Sequence, residues 1–368
     1  MLFIKKTLLL PFTLLYAIVI HFRNYFYDKK VLSSTKFEFP IICIGNLSTG
    51  GTGKTPHTDY LISLLKQDFN ISVLSRGYKR ETKGFVAVQR NATALEVGDE
   101  PLFYKLKHKE IKVAVCEDRV FGISAMALTN HTKNVYLLDD AFQHRAIKCG
   151  LNILLTDYNL RYTKDYILPL GNLREFKSGA NRADIVIVTK CPSALSFTEK
   201  NQIRDELKLK TYQHLFFSEM IYNPIYSILN NGKIENEKTI TALMVTGIAK
   251  PKSMLEELEN RFNKVYTRVF EDHHNFTIED IKSIIRTYKN IDSQNKALIT
   301  TEKDATRLYA FKSEFIKAGI EIYCLPILVN FNEENEKVSF NQAIKHYLNI
   351  TLPQEIDNVE NLKIEYDQ

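Results

Sequence analysis

The stretch "GNLSTGGTGKTPHTDYLISLL", residues 45–65, decides the fold. It closes the apolar run "PIICIG" and opens a helical pattern from Lys54 to Lys66, so Gly50, Gly51 and Gly53 fall in a turn between a buried strand and a helix. Glycines there let backbone N–H groups turn inward on an anion, and the helix adds its positive N-terminal end. Lys54 is placed to reach β- and γ-phosphates and Thr55 to ligand Mg²⁺, so the candidate nucleotide loop is Ser48, Thr49, Gly50, Gly51, Thr52, Gly53, Lys54 and Thr55. The G-x-x-x-x-G-K-[ST] pattern lacks its first glycine, with Ser48 in its place.

Working outward, short apolar runs recur: "ISVLSRG" from Ile71, "KVAVCED" from Lys112, "NVYLLDD" from Asn134, "NILLTD" from Asn152 and "DIVIVTK" from Asp184. They read as buried parallel strands, and helix-compatible stretches such as Thr198 to Leu209 separate several of them. The expected fold is therefore α/β, a P-loop NTPase-like, doubly wound, mostly parallel sheet whose ligand sits at the carboxyl ends of the strands. After about residue 215 the texture changes, with a hairpin signal at Asn231-Gly232. The sequence predicts an N-terminal helix over 1–30, a P-loop core over 31–215, a smaller C-terminal α/β domain with its hairpin linker over 216–350, and a polar tail over 351–368.

The chain has 368 residues, 45% of them apolar, enough for two cored domains. A net charge of +6 suits anionic ligands but is far from the dense basic stripe of a nucleic-acid binder, so no nucleic-acid partner is expected. Five scattered cysteines lack the paired spacing of a zinc site or disulfide framework and read as small buried thiols in a reducing compartment.

The segment "TLLLPFTLLYAIVI", Thr7 to Ile20, holds eleven apolar residues in fourteen. As a helix it spans about 21 Å, short of the roughly 30 Å hydrocarbon core of a bilayer. A secretory signal has the same basic start, but "HFRNYFYDKK" follows where small cleavage-site residues belong. Periodicity alone leaves a helix packed on the protein's own core as an alternative. Lys5, Lys6 and Arg23, with Tyr16, Phe22, Tyr25, Phe26 and Tyr27, favour a helix lying in a membrane surface with its cations toward lipid phosphates.

A P-loop enzyme needs an acidic residue at the end of a neighbouring strand to organise magnesium, and "NVYLLDDAFQHR" supplies Asp139 and Asp140. Guanine specificity calls for an aspartate shortly after "VIVTK", where Cys191-Pro192 stands instead. A MinD-like membrane-surface ATPase that switches partner binding is the alternative reading, but the extra lysine of that loop is Thr49 here.

"GNLSTGGTGKTP", "SRGYKR", "GDEP", "DRVFG", "LLDDAFQHR", "PLGNLREF", "TGIAKP", "FEDHHNF" and "TEKDA" occur in the order and spacing of the tetraacyldisaccharide 4'-kinases, the lipid A 4'-kinase family, which the chain resembles from its apolar start to about residue 330. The resemblance implies ATP and Mg²⁺ as cofactors, with the γ-phosphate passing to the 4'-hydroxyl of a tetraacylated glucosamine disaccharide 1-phosphate. The product would be lipid IVA, made at the cytoplasmic face of the bacterial inner membrane with no obligatory protein partner. It implies Asp99 as general base, His273 as its partner, Lys54 and Arg174 at the transferred phosphate, and Glu175 with Thr55, Asp139 and Asp140 around the metal.

Read without the resemblance, Asp99 before Pro101 is a helix cap and His273 a loop residue ahead of the capping box Thr277-x-x-Asp280, with His274 as its ambiguous neighbour. Arg76 and Arg119 follow strand ends and suit ATP, the substrate's 1-phosphate or surface ion pairs; Gln143 and His144 are placed only as site-adjacent. Phe176 departs from the proline more usual in the family after "LRE".

Overall fold

The computed structural model describes residues 2–128, 133–229 and 232–351, with side chains from Leu8 onward. Asn231, and the predicted tail from residue 352, lie outside the described residues.

Eight strands of the first sheet come in sequence: β1 (Ile41–Asn46), β2 (Asn70–Ser75), β3 (Val86–Ala87), β4 (Lys112–Val115), β5 (Asn134–Asp139), β6 (Leu151–Asp157), β7 (Ile185–Thr189) and β8 (His214–Tyr222). The second unit contributes β9 (Tyr226–Ser227), β10 (Thr241–Thr246), β11 (Lys264–Val269), β12 (Lys296–Thr301) and β13 (Ile322–Leu325). The last strand, β14 (Ile327–Phe331), returns to the first sheet, whose order is β14-β8-β7-β6-β1-β5-β2-β4-β3. Its central pairs are parallel, and only the edge strands β3 and β14 run antiparallel to their neighbours.

Every residue of β1 is buried, as a strand covered on both faces requires. Ile42 and Ile44 face a core shared with helices α2 (Lys54–Leu65) and α3 (Asp99–Lys107), whereas Ile41 and Cys43 face one shared with α4 (Arg119–Ala127) and α5 (Phe197–Leu207). The second sheet, ordered β9-β13-β12-β10-β11, is likewise sandwiched, by α6 (Lys252–Arg261) on one face and by α7 (Ile278–Lys289) and α8 (Glu302–Leu308) on the other.

The chain crosses between the sheets at Asn223–Ile225 and again at Pro326, beside the pair Tyr222↔Ile327 of β8 and β14. After β14, helix α9 (Glu334–Thr351) sets Phe340, Ile344 and Leu348 into the first core. The segment from Ile327 to Ile350, expected within the C-terminal unit, therefore adds an edge strand and a covering helix to the first sheet.

Helix α1 (Leu2–Asp28) runs 27 residues, about 40 Å, twice the length of the apolar run alone. Nothing between Ile20 and Asp28 breaks a helix, so the winding continues through the polar His21 and Arg23. Over Leu8–Asp28 it is long and apolar enough, by length and composition, to cross a membrane. Leu8, Phe12, Leu15, Ile18 and Phe22 stand exposed along it.

Candidate active site

The turn between β1 and α2 is held open from all sides. Gly50 and Gly53 take φ of 103° and 85°, the left-handed region where an L side chain is strained. A Cβ on Gly53 would also meet the Met220 methyl at 2.3 Å. Asn46 Nδ2 donates to Thr52 Oγ1 at 2.8 Å, Thr189 Oγ1 donates to the Thr52 carbonyl at 2.9 Å, and the Lys190 ammonium donates to the Gly51 carbonyl. Ser48, the departure from the glycine pattern, bridges Leu173, and Thr49 N–H donates to the Asn172 carbonyl at 2.7 Å. The loop is thus tied to the segment carrying Arg174 and Glu175.

At the end of β5, Asp139 and Asp140 come beneath this loop. Lys54 Nζ lies 3.7 Å from Asp140 Oδ2, and Arg174 Nη2 donates to Asp140 Oδ1 at 2.7 Å. Arg174 also donates to the carbonyl of Asn46, at 3.2 Å, and to its side-chain oxygen, so it sits at the mouth of the loop. Burial pushes the Asp140 carboxyl up, but the Lys54 and Arg174 cations override it and hold it below the usual carboxylate range. Burial, followed by the charges of Asp140 and Glu100, pushes Asp139 up to about 6. One Asp139 oxygen accepts from Tyr104 OH at 3.1 Å, while Oδ1 is buried with no hydrogen-bond partner.

An orphaned carboxylate oxygen among crowded carboxylates suits a divalent cation, which would supply the missing partner. Among the described residues no three His, Cys, Asp or Glu side chains form a ready-made cage. Mg²⁺ does not need one, since it takes one or two carboxylates and completes its shell with phosphate and water. Glu175, 2% exposed, has its oxygens engaged by Arg182 Nη2 and by Gln143 Nε2, each at 2.8 Å.

Asp139→Asn is expected to raise stability by about 1–3 kcal/mol near neutral pH while removing activity. The sign follows from linkage: with the folded value raised from 3.8 to about 6, the folded state binds the extra proton, so stability falls as pH rises through that window. Thermal melts with a chelator should show the variant's advantage at pH 7.5 shrinking toward pH 4.

Asp99 begins α3, with Gly98 rather than Asp99 as the N-cap and no side-chain capping bond. The carboxylate instead reaches the second unit, where His273 Nδ1 lies 3.0 Å from its Oδ2. His273 has φ of 61° and donates its N–H to the Gly247 carbonyl at 3.0 Å, a backbone bend that presents the ring to Asp99. His274 turns the other way, onto Asp280 at 2.9 Å and the Phe270 ring at 4.7 Å.

Around the Asp99–His273 contact, α3 and α8 lie side by side with complementary charges. Asp99 faces Arg307 at 3.6 Å, Glu100 meets Lys303 at 2.8 Å, and Lys107 meets Glu302 at 2.8 Å. Lys107 also reaches Asp59 of α2 at 2.8 Å, and Asp59 takes His108 at 2.7 Å. The loop's helix, the helix of Asp99 and the second unit are therefore joined through one partly buried charge cluster.

His57 carries no signal in the sequence. His57 is buried between the Gly53 carbonyl at 2.7 Å and Ser218 Oγ at 3.0 Å, and burial pulls its imidazole down to about 4, so it is neutral at pH 7. Its Nδ1 must carry the proton to bond a carbonyl, leaving Nε2 to accept from Ser218. Arg119 is 2% exposed, donates to the Cys116 carbonyl and feels Asp139 and Asp140, whereas Arg76 is exposed. Helix α1 touches the site directly: Tyr16 OH donates to the Arg174 carbonyl at 2.9 Å and Arg23 Nη2 to the Gln143 carbonyl at 2.7 Å. Phe176 meets His21 of that helix edge-on at 6.2 Å.

A model of the tetraacyldisaccharide-1-P 4'-kinase family matches residues 5–348. The chain is 43% identical over 347 residues to the tetraacyldisaccharide 4'-kinase of Parabacteroides distasonis, covering 92% of this chain and 94% of that one. It is also 43% identical over 350 residues to that of Flavobacterium johnsoniae, covering 93% and 98%. Among solved structures it is similar to LpxK from Aquifex aeolicus in complex with ATP, with a TM-score of 0.72 and 28% identity over 94% of this chain and 99% of that one. With the family model and full-length relatives agreeing, the chain belongs to the tetraacyldisaccharide 4'-kinase family.

Proposed function

We propose that the protein transfers the γ-phosphate of ATP to the 4'-hydroxyl of a tetraacylated glucosamine disaccharide 1-phosphate, forming lipid IVA at the cytoplasmic face of the inner membrane. The observation that supports this reading is the glycine loop with Lys54 set against the acidic end of β5, with the carboxylate–imidazole pair of Asp99 and His273 drawn from both units at the start of α3, where the neighbouring Glu100 acts on both Lys54 and Asp139.

In the reaction a bond forms between the sugar oxygen and Pγ, the bond from Pγ to the β-phosphate oxygen breaks, and ADP departs. Loop N–H groups from Ser48 to Thr55 hold the phosphates, while Lys54 and Arg174 stabilise charge on the γ-phosphoryl oxygens. Asp99 accepts the hydroxyl proton, and His273 orients its carboxylate. Thr55, Asp139 and Asp140 would hold Mg²⁺, with Glu175 acting through water because its oxygens are already engaged. When bound, the ion neutralises phosphate charge.

The exposed apolar side chains of α1 support an interfacial site for a lipid acceptor, and the Tyr16 and Arg23 contacts fix that surface against the Arg174 segment. Deleting residues 1–27 is expected to abolish vesicle flotation and cut turnover on the lipid acceptor by about tenfold or more, because the acceptor is confined to the interface. Unchanged flotation and turnover would remove α1 from the account.

The reading itself is tested with γ-labelled ATP and the purified acceptor in mixed micelles. Label should move to the lipid. Label released only as inorganic phosphate would instead favour a partner-switching ATPase.

A further inference from the structure

Arg307 lies in the last turn of α8 with its side chain 5% exposed, a depth at which an unpaired guanidinium is costly. Its Nη2 donates to Asp304 Oδ1 and its Nη1 to the His274 carbonyl, each at 2.9 Å. Asp304 is itself fully buried and fixed. It accepts from the Thr246 and Thr301 hydroxyls at 2.8 Å each and from the Gly247 N–H at 3.1 Å.

The guanidinium is thereby clamped, and its Nε, buried without a hydrogen-bond partner, stands 3.6 Å from Asp99 Oδ1. His273 occupies the other oxygen, Oδ2. Lys303, the other cation of α8 on this side, is engaged by Glu100 at 2.8 Å.

We propose that Arg307 is a positioning residue for Asp99: it grips Oδ1 while His273 grips Oδ2, fixing the plane of the carboxylate toward the sugar hydroxyl. The inference rests on the reading of Asp99 as the proton acceptor. A separation of 3.6 Å is too long for a hydrogen bond, and contacts of this kind tighten when an acceptor seats. Oδ1 has two lone pairs, one for the Arg307 Nε–H and one for the incoming hydroxyl. Because the same guanidinium holds the His274 carbonyl, the base and its imidazole partner stay in register with α8. A lysine cannot reproduce this, since one ammonium cannot span three oxygens in fork geometry.

The test is single-turnover transfer from labelled ATP to the lipid acceptor, with each variant checked for folding by thermal melt. Arg307→Met should slow transfer about 10- to 100-fold and leave the KM for ATP within about threefold. Arg307→Lys, which keeps the charge and most of the packing, should still lose about fivefold or more.

The deciding comparison is Arg307→Met in an Asp99→Asn background, where it should change the rate by less than about threefold because there is no carboxylate left to position. An equal slowing in both backgrounds, or a wild-type rate for Arg307→Met or Arg307→Lys, would overturn the proposal. Near-normal turnover of Asp99→Asn alone would instead overturn the reading of Asp99 on which it stands.

Discussion

Lys54→Ala lowers kcat by about 10²- to 10³-fold or more, with the fold intact, in the outcome the geometry leads us to expect. Lys54 is the first residue of α2, and its ammonium lies 3.7 Å from Asp140 at the end of β5. Burial pulls its ammonium below the ordinary value while Asp140 supports the charge, so a cation is kept in a poorly solvated place where it acts strongly on phosphate. Asp140 retains Arg174 in the variant, so its carboxylate stays paired and the melting temperature should move little. Turnover within about threefold of wild type, in a folded protein, would dissociate the loop from the reaction.

The second large effect is expected from Asp99→Asn. The substitution preserves size and one hydrogen-bond acceptor but removes the proposed base, and general-base loss costs about 10²- to 10⁴-fold in kcat. The KM for ATP should change by less than about threefold, because Asp99 contacts the second unit rather than the loop. The competing view, that Asp99 only pins the units together, predicts wild-type turnover and a lower melting temperature. His273→Gln separates the two further. It should reduce kcat by a smaller factor than Asp99→Asn, since the carboxylate remains and only its orientation is lost.

Residues 45–65 were legible because the chemistry is local: strand, glycine turn, lysine and helix follow one another in the chain and fold as they read. Asp139 at the end of β5 was legible for the same reason. Asp99 and His273 are 174 residues apart, and their contact came from family resemblance, since each alone reads as a capping or loop residue. Glu302 and Asp304 stand in the motif "TEKDA", but neither their link to Asp59 and Lys107 nor the clamp on Arg307 had a sequence signature. A buried ion pair between distant helices looks in sequence like two solvated charges.

The helix expected over residues 1–30 is found at Leu2–Asp28. One feature of the fold differs from the sequence reading. The run at Ile327 reads as a strand from composition, yet period alone does not say which sheet a strand joins. Pairing with β8 is settled by tertiary contacts, among them Glu336 accepting from the Phe217 N–H at 2.6 Å.

The most direct measurement of the central claim is the chemical position of the new phosphate. Product made from the disaccharide 1-phosphate and ATP should show, in a proton–phosphorus correlation spectrum, a second phosphorus coupled to H4' of the distal glucosamine, with one ADP formed per phosphate transferred. A second phosphorus on any other oxygen, or ADP accumulating with the lipid unchanged, would contradict it.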